Sequence, residues 1–368
     1  MIVHLFEDEK FVDLTIDSFE NVSKGKNRYI IFSDSILLKH VTRLDQVEIM
    51  PNSYKRVNMD LIINDCKLLI IHYMSPLKLY ILKKIPNNIT VIWSVWGGDA
   101  YSYFSNQDIY EPLTDKFKSS SLKEVIKSTF LYNIYHLYKY RVLPVKNEIA
   151  VLKKINYLFT VIPYEYDSIV KEFHLSAKYI EFNYAVNSFD NKLFPELGMS
   201  VLIGNSATYS NNHLDVFELI KGTDKILIVP LSYGGNKDYN NFVLKEGVKI
   251  FNTLFCPIIE FMKLDKYNEL ILSCNTVIMH HVRQQALGNI YMSLYLGMRV
   301  FLNKRSITYK YMNDVGMIVF DLEKDKDLIG IELNNKYKVI NRNLVSELQG
   351  KKTISNKIKG IYRLHDIL

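Results

Sequence analysis

Val201-Leu-Ile-Gly-Asn-Ser-Ala-Thr-Tyr-Ser-Asn-Asn-His213, continued by Leu-Asp-Val-Phe-Glu-Leu-Ile220, joins a short apolar run to an amphipathic one. The pattern predicts a strand at Val201 to Ile203 and a helix over Asn212 to Ile220. Gly204 stands at the turn, where the backbone must come close to whatever it faces, and Ser206, Thr208, Ser210 and Asn211 supply donors before the helix. Downstream the alternation repeats: strand Lys225 to Val229, helix Asn240 to Val248, strand Thr276 to Met279, helix Gln284 to Leu296, strand Arg299 to Leu302. Upstream it has already run once. Strands are expected at Ile2 to Phe6, Arg28 to Phe32, Leu68 to Tyr73, Ile89 to Trp93, Tyr157 to Val161 and Lys178 to Phe182, with helices over Lys10 to Val22, from Ser75, and over Tyr164 to Phe173. Continuous apolar strands between helices indicate parallel sheets covered on both faces. The expected fold is therefore α/β, two Rossmann-like domains facing a central cleft.

Residues 1–184 are expected to form the first domain, 185–200 a linker, 201–345 the second domain, and 346–368 a helical tail that could pack back on the first. A chain of 368 residues with 48% hydrophobic and 23% charged residues is long enough for two cores and is not disordered. Cys66, Cys256 and Cys274 form no CxxC pair, which reads as a reduced, cytosolic protein. The start MIVHLFEDEKF lacks the basic and apolar regions of a secretory signal, and no transmembrane helix is expected. The net charge is +7, and residues 116–154 alone carry nine Lys or Arg against Glu124 and Glu148. The basic character thus belongs to one Tyr-rich segment, not to a general polyanion-binding surface. From Ser121 to Tyr140 that segment has helical apolar spacing and reads as a surface for an anionic membrane, or as a packed helix with solvated lysines.

In open parallel sheets ligands bind beyond the carboxyl ends of strands, where helix N-termini favour phosphate. Three segments of the second half fit. Gly204 to His213 is the first. Val229-Pro-Leu-Ser-Tyr-Gly-Gly235, with Ser232 and Tyr233 and followed by Tyr239, is the second. Met279-His-His-Val-Arg-Gln-Gln-Ala-Leu-Gly288, which brings Arg283 toward a helix N-terminus, is the third. Each alone reads sooner as a plain helix cap than as a site, and His280 and His281 as packed residues; the convergence of three suggests a diphosphate and its sugar. In the first half, Val91-Ile-Trp-Ser-Val-Trp-Gly-Gly-Asp-Ala-Tyr101 ends a strand in both tryptophans and one carboxylate. Asp99 is the candidate base there; the alternative is that Trp93 and Trp96 are core residues and Asp99 caps a helix. No GxxxxGK[ST] P-loop is present, the first strand lacks a GxGxxG turn, and no DxD pair lies between a strand end and an open loop, which argues against triphosphate hydrolysis, dinucleotide binding there and a metal-held diphosphate. No metal and no cofactor are expected.

GNSATYSNNH, VPLSYGG with Tyr239, HHVRQQALGNIYMSLYLGMRVFLN and WSVWGGDAY resemble, in order and spacing, the TDP-N-acetylfucosamine:lipid II N-acetylfucosaminyltransferases, glycosyltransferase family 56. The resemblance runs from about Leu68 to Asn303. It implies the metal-independent GT-B fold with the nucleotide sugar in the C-terminal domain. It further implies transfer of 4-acetamido-4,6-dideoxygalactose from a dTDP donor to a polyprenyl-diphosphate-linked saccharide, as in enterobacterial common antigen or O-antigen synthesis. Carried over, Gly204, Asn205, Ser206, Asn211 and His213 form the first donor loop and Ser232, Tyr233 and Tyr239 the second. Arg283, Gln284, Gln285 and Gly288 hold the diphosphate, Arg283 assisting its departure, and Asp99 lies opposite as base. The place of work implied is the cytoplasmic face of the inner membrane, as a peripheral protein. The rival readings are a sugar-nucleotide epimerase on the same two-domain plan and a non-enzymatic membrane-surface protein. A nucleic-acid binder ranks last, because no RNP-like or zinc motif is present.

Overall fold

A computed structural model describes residues 1–104, 109–120, 130–182, 194–260, 262 and 264–365. The chain divides into two compact units, one formed by residues 1–105, 126–188 and 349–368, the other by 106–125 and 189–348.

The first unit is built on a seven-stranded parallel sheet: β1 (Ile2–Glu7), β2 (Asn27–Phe32), β3 (Val47–Met50), β4 (Leu68–His72), β5 (Thr90–Val95), β6 (Tyr157–Thr160) and β7 (Lys178–Tyr179). Its order is β3-β2-β1-β4-β5-β6-β7. Successive side chains of a strand point to opposite faces, so β1 and β4 feed two cores. Val3, Leu5, Leu69 and Ile71 meet Leu79 and Leu82 of the helix Pro76–Lys84 on one side. Ile2, Phe6, Leu68 and Ile70 meet Val12, Ile16 and Phe19 on the other, together with Ile354, Ile358, Ile361 and Tyr362 of the C-terminal helix Lys351–Arg363. The Tyr362 hydroxyl donates to Asn27 Oδ1 at 2.7 Å, fixing that helix to the first unit. Ser75 caps the helix that Pro76 begins, accepting from the Lys78 N–H.

The second unit holds β8 (Ser200–Ile203), β9 (Leu227–Pro230), β10 (Phe255–Ile258), β11 (Cys274–Met279), β12 (Arg299–Leu302) and β13 (Phe320–Asp321), all parallel, in the order β10-β9-β8-β11-β12-β13. Pro257 is tolerated because β10 is an edge strand.

The domain boundaries differ from expectation at residues 106–125, which join the second unit although they interrupt the first in sequence. The helix Pro112–Ser119 is held there at its N-terminus by Asp215, which accepts from the N–H groups of Leu113 (2.8 Å) and Thr114 (3.0 Å) and from the Thr114 hydroxyl (2.7 Å). Phe117 packs among Tyr209, Tyr239 and Phe242. The basic segment 116–154 is therefore divided between the two units. Lys116 and Lys118 belong to the second unit and the helix Phe130–Tyr140 to the first, while residues 121–129, with Lys123, Val125, Ile126 and Lys127, lie outside the described residues. The expected linker falls outside them up to residue 193; beyond it Phe194 lies 3.5 Å from the Arg342 guanidinium. Among the described residues no helix is long and apolar enough to cross a membrane.

Candidate active site

β8 and β11 lie side by side at the centre of the second sheet. From β8 the chain moves out to β9 and β10, then crosses back through β11 to β12 and β13. Their carboxyl ends thus flank the point where the winding reverses, the place in such sheets where loops part and a ligand can enter. The loop after β8 and the loop after β11 are the first and third of the segments singled out above.

Asn211 organises the first loop. Only 1% exposed, it takes the Asn205 N–H on Oδ1 at 2.9 Å and donates from Nδ2 to the Ser206 carbonyl at 2.8 Å and the Thr208 hydroxyl at 2.9 Å. Gly204 is at φ +67°, and a Cβ there would lie 2.6 Å from Asn211 Oδ1, so both the conformation and the space require glycine. His281 Nε2 sits 2.9 Å from the same Oδ1, joining the loop after β11 to the loop after β8. Burial, then the nearby Arg283 charge, holds the His281 ring well below the usual histidine range, so it is neutral and its Nε2–H donates.

Beside this framework runs a chain of polar groups, which begins at the buried Ser206 and Ser210 and continues to the half-buried Asn205, Arg283 and Gln285. Ser206, Thr208 and Ser210 hydroxyls follow one another at 3.0 and 3.1 Å, and Ser210 donates to Gln285 Oε1 at 2.5 Å. Gln285 donates to Asn205 Oδ1 at 2.8 Å, Asn205 donates to the Tyr233 hydroxyl at 3.1 Å, and Arg283 reaches the Ser210 hydroxyl at 3.3 Å and the Gln284 carbonyl at 3.0 Å. The second loop is pressed against the first: the Ala207 N–H donates to the Tyr233 carbonyl at 2.9 Å. The structure thus brings Gly204, Asn205, Ser206, Asn211, Tyr233, Arg283 and Gln285 together. Ser232 lies half-buried in the second loop beside Tyr233. A guanidinium, amides and hydroxyls on one surface can neutralise and bind a phosphate ester or the hydroxyls of a sugar.

Four expected residues have other positions. Tyr239 is fully buried, with its hydroxyl 3.4 Å from His213 Nδ1, and packs in the core of the second unit. His213 is fully buried too, kept neutral by burial that lowers its pKa to about 3, and its ring lies against Gly204. The helix expected from Gln284 begins at Leu287, after Ala286 in a left-handed conformation, so Arg283, Gln284 and Gln285 belong to the loop. Gln284 is 5% exposed with an unpartnered Oε1 among the described residues, whereas Gly288 is exposed in the first turn with open space around it.

Asp99 is the larger correction. It is 2% exposed, and its carboxylate accepts from the Met74 N–H and Trp93 Nε1–H on Oδ2 and the Trp96 N–H on Oδ1, each at 2.9 Å. It ties the ends of β4 and β5 together. Burial raises its pKa and these bonds oppose the rise; a carboxylate so enclosed is a structural clamp and not a base open to an acceptor.

Sequence reasoning missed Glu111 and Asn303. Glu111 is 7% exposed; its N–H donates to Asn212 Oδ1, and its Oε1 accepts from Asn303, which also lies 3.2 Å from His280 Nε2. Asn303 follows β12 and was findable by the strand-end rule; Glu111 comes from a remote segment and carries no local signal. Among the described residues no group of three or more His, Cys, Asp or Glu is placed to hold a metal ion.

The same two-unit architecture occurs in solved structures. HepE of Anabaena, in complex with UDP and glucose, superposes with a TM-score of 0.66 over 99% of this chain and 100% of its own at 9% identity. A glycosyltransferase of Rickettsia africae gives 0.65 over 100% and 98% at 14% identity. Sucrose-phosphate synthase of Thermosynechococcus elongatus gives 0.65 over 99% and 98% at 9% identity. At these identities the likeness establishes the fold, which is GT-B. A sequence profile described as 4-alpha-L-fucosyltransferase, glycosyl transferase group 56, matches residues 126–344, more than half the chain and all six of the second unit's strands. With the polar loops assembled at the β8/β11 switch point lying inside that match, the chain belongs to glycosyl transferase group 56 and is a glycosyltransferase.

Proposed function

We propose that the protein transfers a deoxyamino sugar, 4-acetamido-4,6-dideoxygalactose or a close relative, from a dTDP donor to a polyprenyl-diphosphate-linked saccharide in bacterial surface glycan synthesis. The observation that carries this reading is the hydrogen-bonded joining of the loops after β8, β9 and β11 around Arg283. The second unit then binds the donor. Arg283 and the N–H groups at the start of the helix Leu287–Leu296 stabilise the negative charge that develops on the departing diphosphate, and the Asn205, Gln285 and Tyr233 side chains orient the sugar. HepE, with UDP and glucose bound, is a precedent within this fold.

Thermal-shift titration with dTDP, UDP, GDP and CMP tests the donor. Saturation at a hundredfold excess over Kd stabilises by about 2.7 kcal/mol, and dTDP should act at the lowest concentration. Arg283→Ala should raise the dTDP Kd roughly tenfold or more, the loss of a charge-assisted contact of ~1.5–3 kcal/mol. Unchanged affinity in the folded variant removes Arg283 from the site. With no DxD pair between a strand end and an open loop, transfer should persist in excess EDTA; activity abolished by EDTA and restored by Mg²⁺ or Mn²⁺ contradicts metal independence.

The acceptor's lipid requires work at a membrane surface, and the helix Phe130–Tyr140 supports that placement. Phe130 (73% exposed), Tyr138 (77%), Leu131, Ile134 and Leu137 all face outward, with Lys139 on the same helix and Arg141 just beyond it. Apolar and aromatic groups with flanking cations suit an anionic inner leaflet. In liposome flotation, binding should require anionic lipid and weaken with salt. Lys139→Gln and Arg141→Gln should each weaken it about fivefold, from ~1 kcal/mol per cation. Equal flotation of wild type and variants, or none, rejects this surface.

A further inference from the structure

Glu111 stands among three strand ends of the second unit, although it comes from the stretch that interrupts the first unit in sequence. Its backbone N–H donates to Asn212 Oδ1 at 3.0 Å, in the loop after β8. Asn212 Nδ2 donates in turn, at 2.8 Å, to the carbonyl of His280, the first residue after β11. The buried Glu111 side chain reaches the loop after β12, where Oε1 accepts from Asn303 Nδ2 at 2.7 Å and lies 3.3 Å from Arg305 Nη1. The helix that begins after Glu111 is fixed separately by Asp215, so the carboxylate is placed by its own backbone as well as by its partners.

These bonds decide where a proton sits. The two ends of the Asn303 amide have opposite partners: Oδ1 accepts from the Arg305 N–H at 2.9 Å, and Nδ2 gives one hydrogen to the Glu111 carboxylate. Turning the amide over would set its oxygen against the carboxylate and its amino group against the Arg305 N–H, so the orientation is fixed. The second Nδ2 hydrogen then faces His280 Nε2 at 3.2 Å. Burial lowers the His280 pKa to about 4, against the pull of Asp215 and Glu323, so the ring is neutral and Nε2, which receives a hydrogen, is the bare nitrogen. The proton is on Nδ1, a buried group with no hydrogen-bond partner among the described residues. His280 precedes His281, whose Nε2–H holds Asn211, and stands three residues before Arg283. Carboxylate, amide and imidazole thus form one relay that ends in the loop carrying the guanidinium.

Resting on the glycosyl-transfer reading above, we propose that Glu111 is a positioning residue of the donor site. Through Asn303 it holds His280 as the Nδ1–H tautomer. Together with Asn212 it locks the loops after β8, β11 and β12 in the arrangement that presents Arg283 to the donor diphosphate. Glu111 acts without touching the donor, as the partner of one imidazole nitrogen fixes the proton on the other.

Imidazole ¹⁵N spectra of histidine-labelled protein and calorimetric titrations with dTDP test the assignment. In wild type the His280 signals, identified by their loss in His280→Asn, should show a protonated Nδ1 and a bare Nε2. Glu111→Gln keeps an oxygen for Asn303 and should retain that tautomer, with a dTDP Kd within about threefold of wild type. Glu111→Asp keeps the charge but is one methylene too short to reach Asn303. It should mix the two tautomers and raise the dTDP Kd about tenfold, the equivalent of ~1.4 kcal/mol. A role in folding alone would lower Tm and leave both tautomer and Kd unchanged wherever the variant is folded. Wild-type Kd in folded Glu111→Asp overturns the proposal while donor binding itself stands. An Nε2–H tautomer in wild type overturns it too, and that measurement needs no variant at position 111 to fold. A wild type that binds no nucleoside diphosphate overturns the glycosyl-transfer reading and the proposal with it.

Discussion

Taking the protein from pH 7 to pH 5 should cost several kcal/mol of stability, with the second unit affected more than the first. His213, His280 and His281 in the second unit and His4 and His72 in the first are all nearly or fully buried. Burial lowers the pKa of His4 and His213 to about 3 and of His280 to about 4, and holds His72 and His281 well below the usual value. The sign follows from linkage. A histidine whose folded pKa is depressed leaves stability intact above its unfolded value near 6.5; as pH falls below that, the unfolded chain takes up protons that the folded chain refuses. Each such group costs about 1.4 kcal/mol per pH unit in this window. Three in the second unit give ~4 kcal/mol per unit, against a typical total of ~5–15 kcal/mol. Glu9 and Asp99, whose carboxyls burial raises, work in the opposite direction and offset part of the loss. Calorimetric scans from pH 7.5 to 5 should show a falling Tm and unfolding accompanied by proton uptake. His281→Asn keeps a donor for Asn211 and removes one titrating group, so it should flatten the slope. A Tm constant from pH 7 to 5 would sink this account.

The same buried histidines mark how far the sequence could be read. Central strands were legible because β1, β4 and β11 are enclosed on both faces and must be apolar throughout, while the edge strand β3 has no fully buried residue before Met50 and β13 is two residues long. The loops of the second unit were legible because strand-end glycines and hydroxyls have few other uses. Burial was not. A histidine or tyrosine in a polar loop looks the same whether it is exposed, as Tyr233 is, or lies beneath the loop, as His213 and Tyr239 do. Asp99 followed the strand-end rule, yet its donors come from Met74, Trp93 and Trp96, two of them on other elements, and only the tertiary arrangement identifies a clamp.

Gly235→Ala should abolish useful donor binding, and Gly288→Ala should weaken it by a different route. Gly235 is at φ +74°, and a Cβ there would stand 1.9 Å from the Ala207 carbonyl oxygen and 2.5 Å from its carbon, both backbone atoms that cannot turn aside. The left-handed conformation alone costs about 1 kcal/mol for alanine. Relieving the contact must move the second loop off the first, breaking the Ala207 N–H to Tyr233 carbonyl bond and withdrawing the Tyr233 hydroxyl from Asn205. Asn205 in turn anchors Gln285, so the arrangement around Arg283 loosens with it. The expected result is lower stability by ~1–3 kcal/mol and a dTDP Kd raised by at least about thirtyfold, the equivalent of ~2 kcal/mol. Gly288 has nothing within 4 Å and lies in the first turn of a helix, where alanine should stabilise by ~0.5–1 kcal/mol. Its added methyl nevertheless points toward the helix N-terminus, where the diphosphate is proposed to sit. Gly288→Ala should therefore melt higher and bind dTDP more weakly, a combination that loss of structure cannot produce. Normal dTDP binding by Gly288→Ala would take the helix N-terminus out of the donor site, and normal binding by Gly235→Ala would take the joined loops out with it.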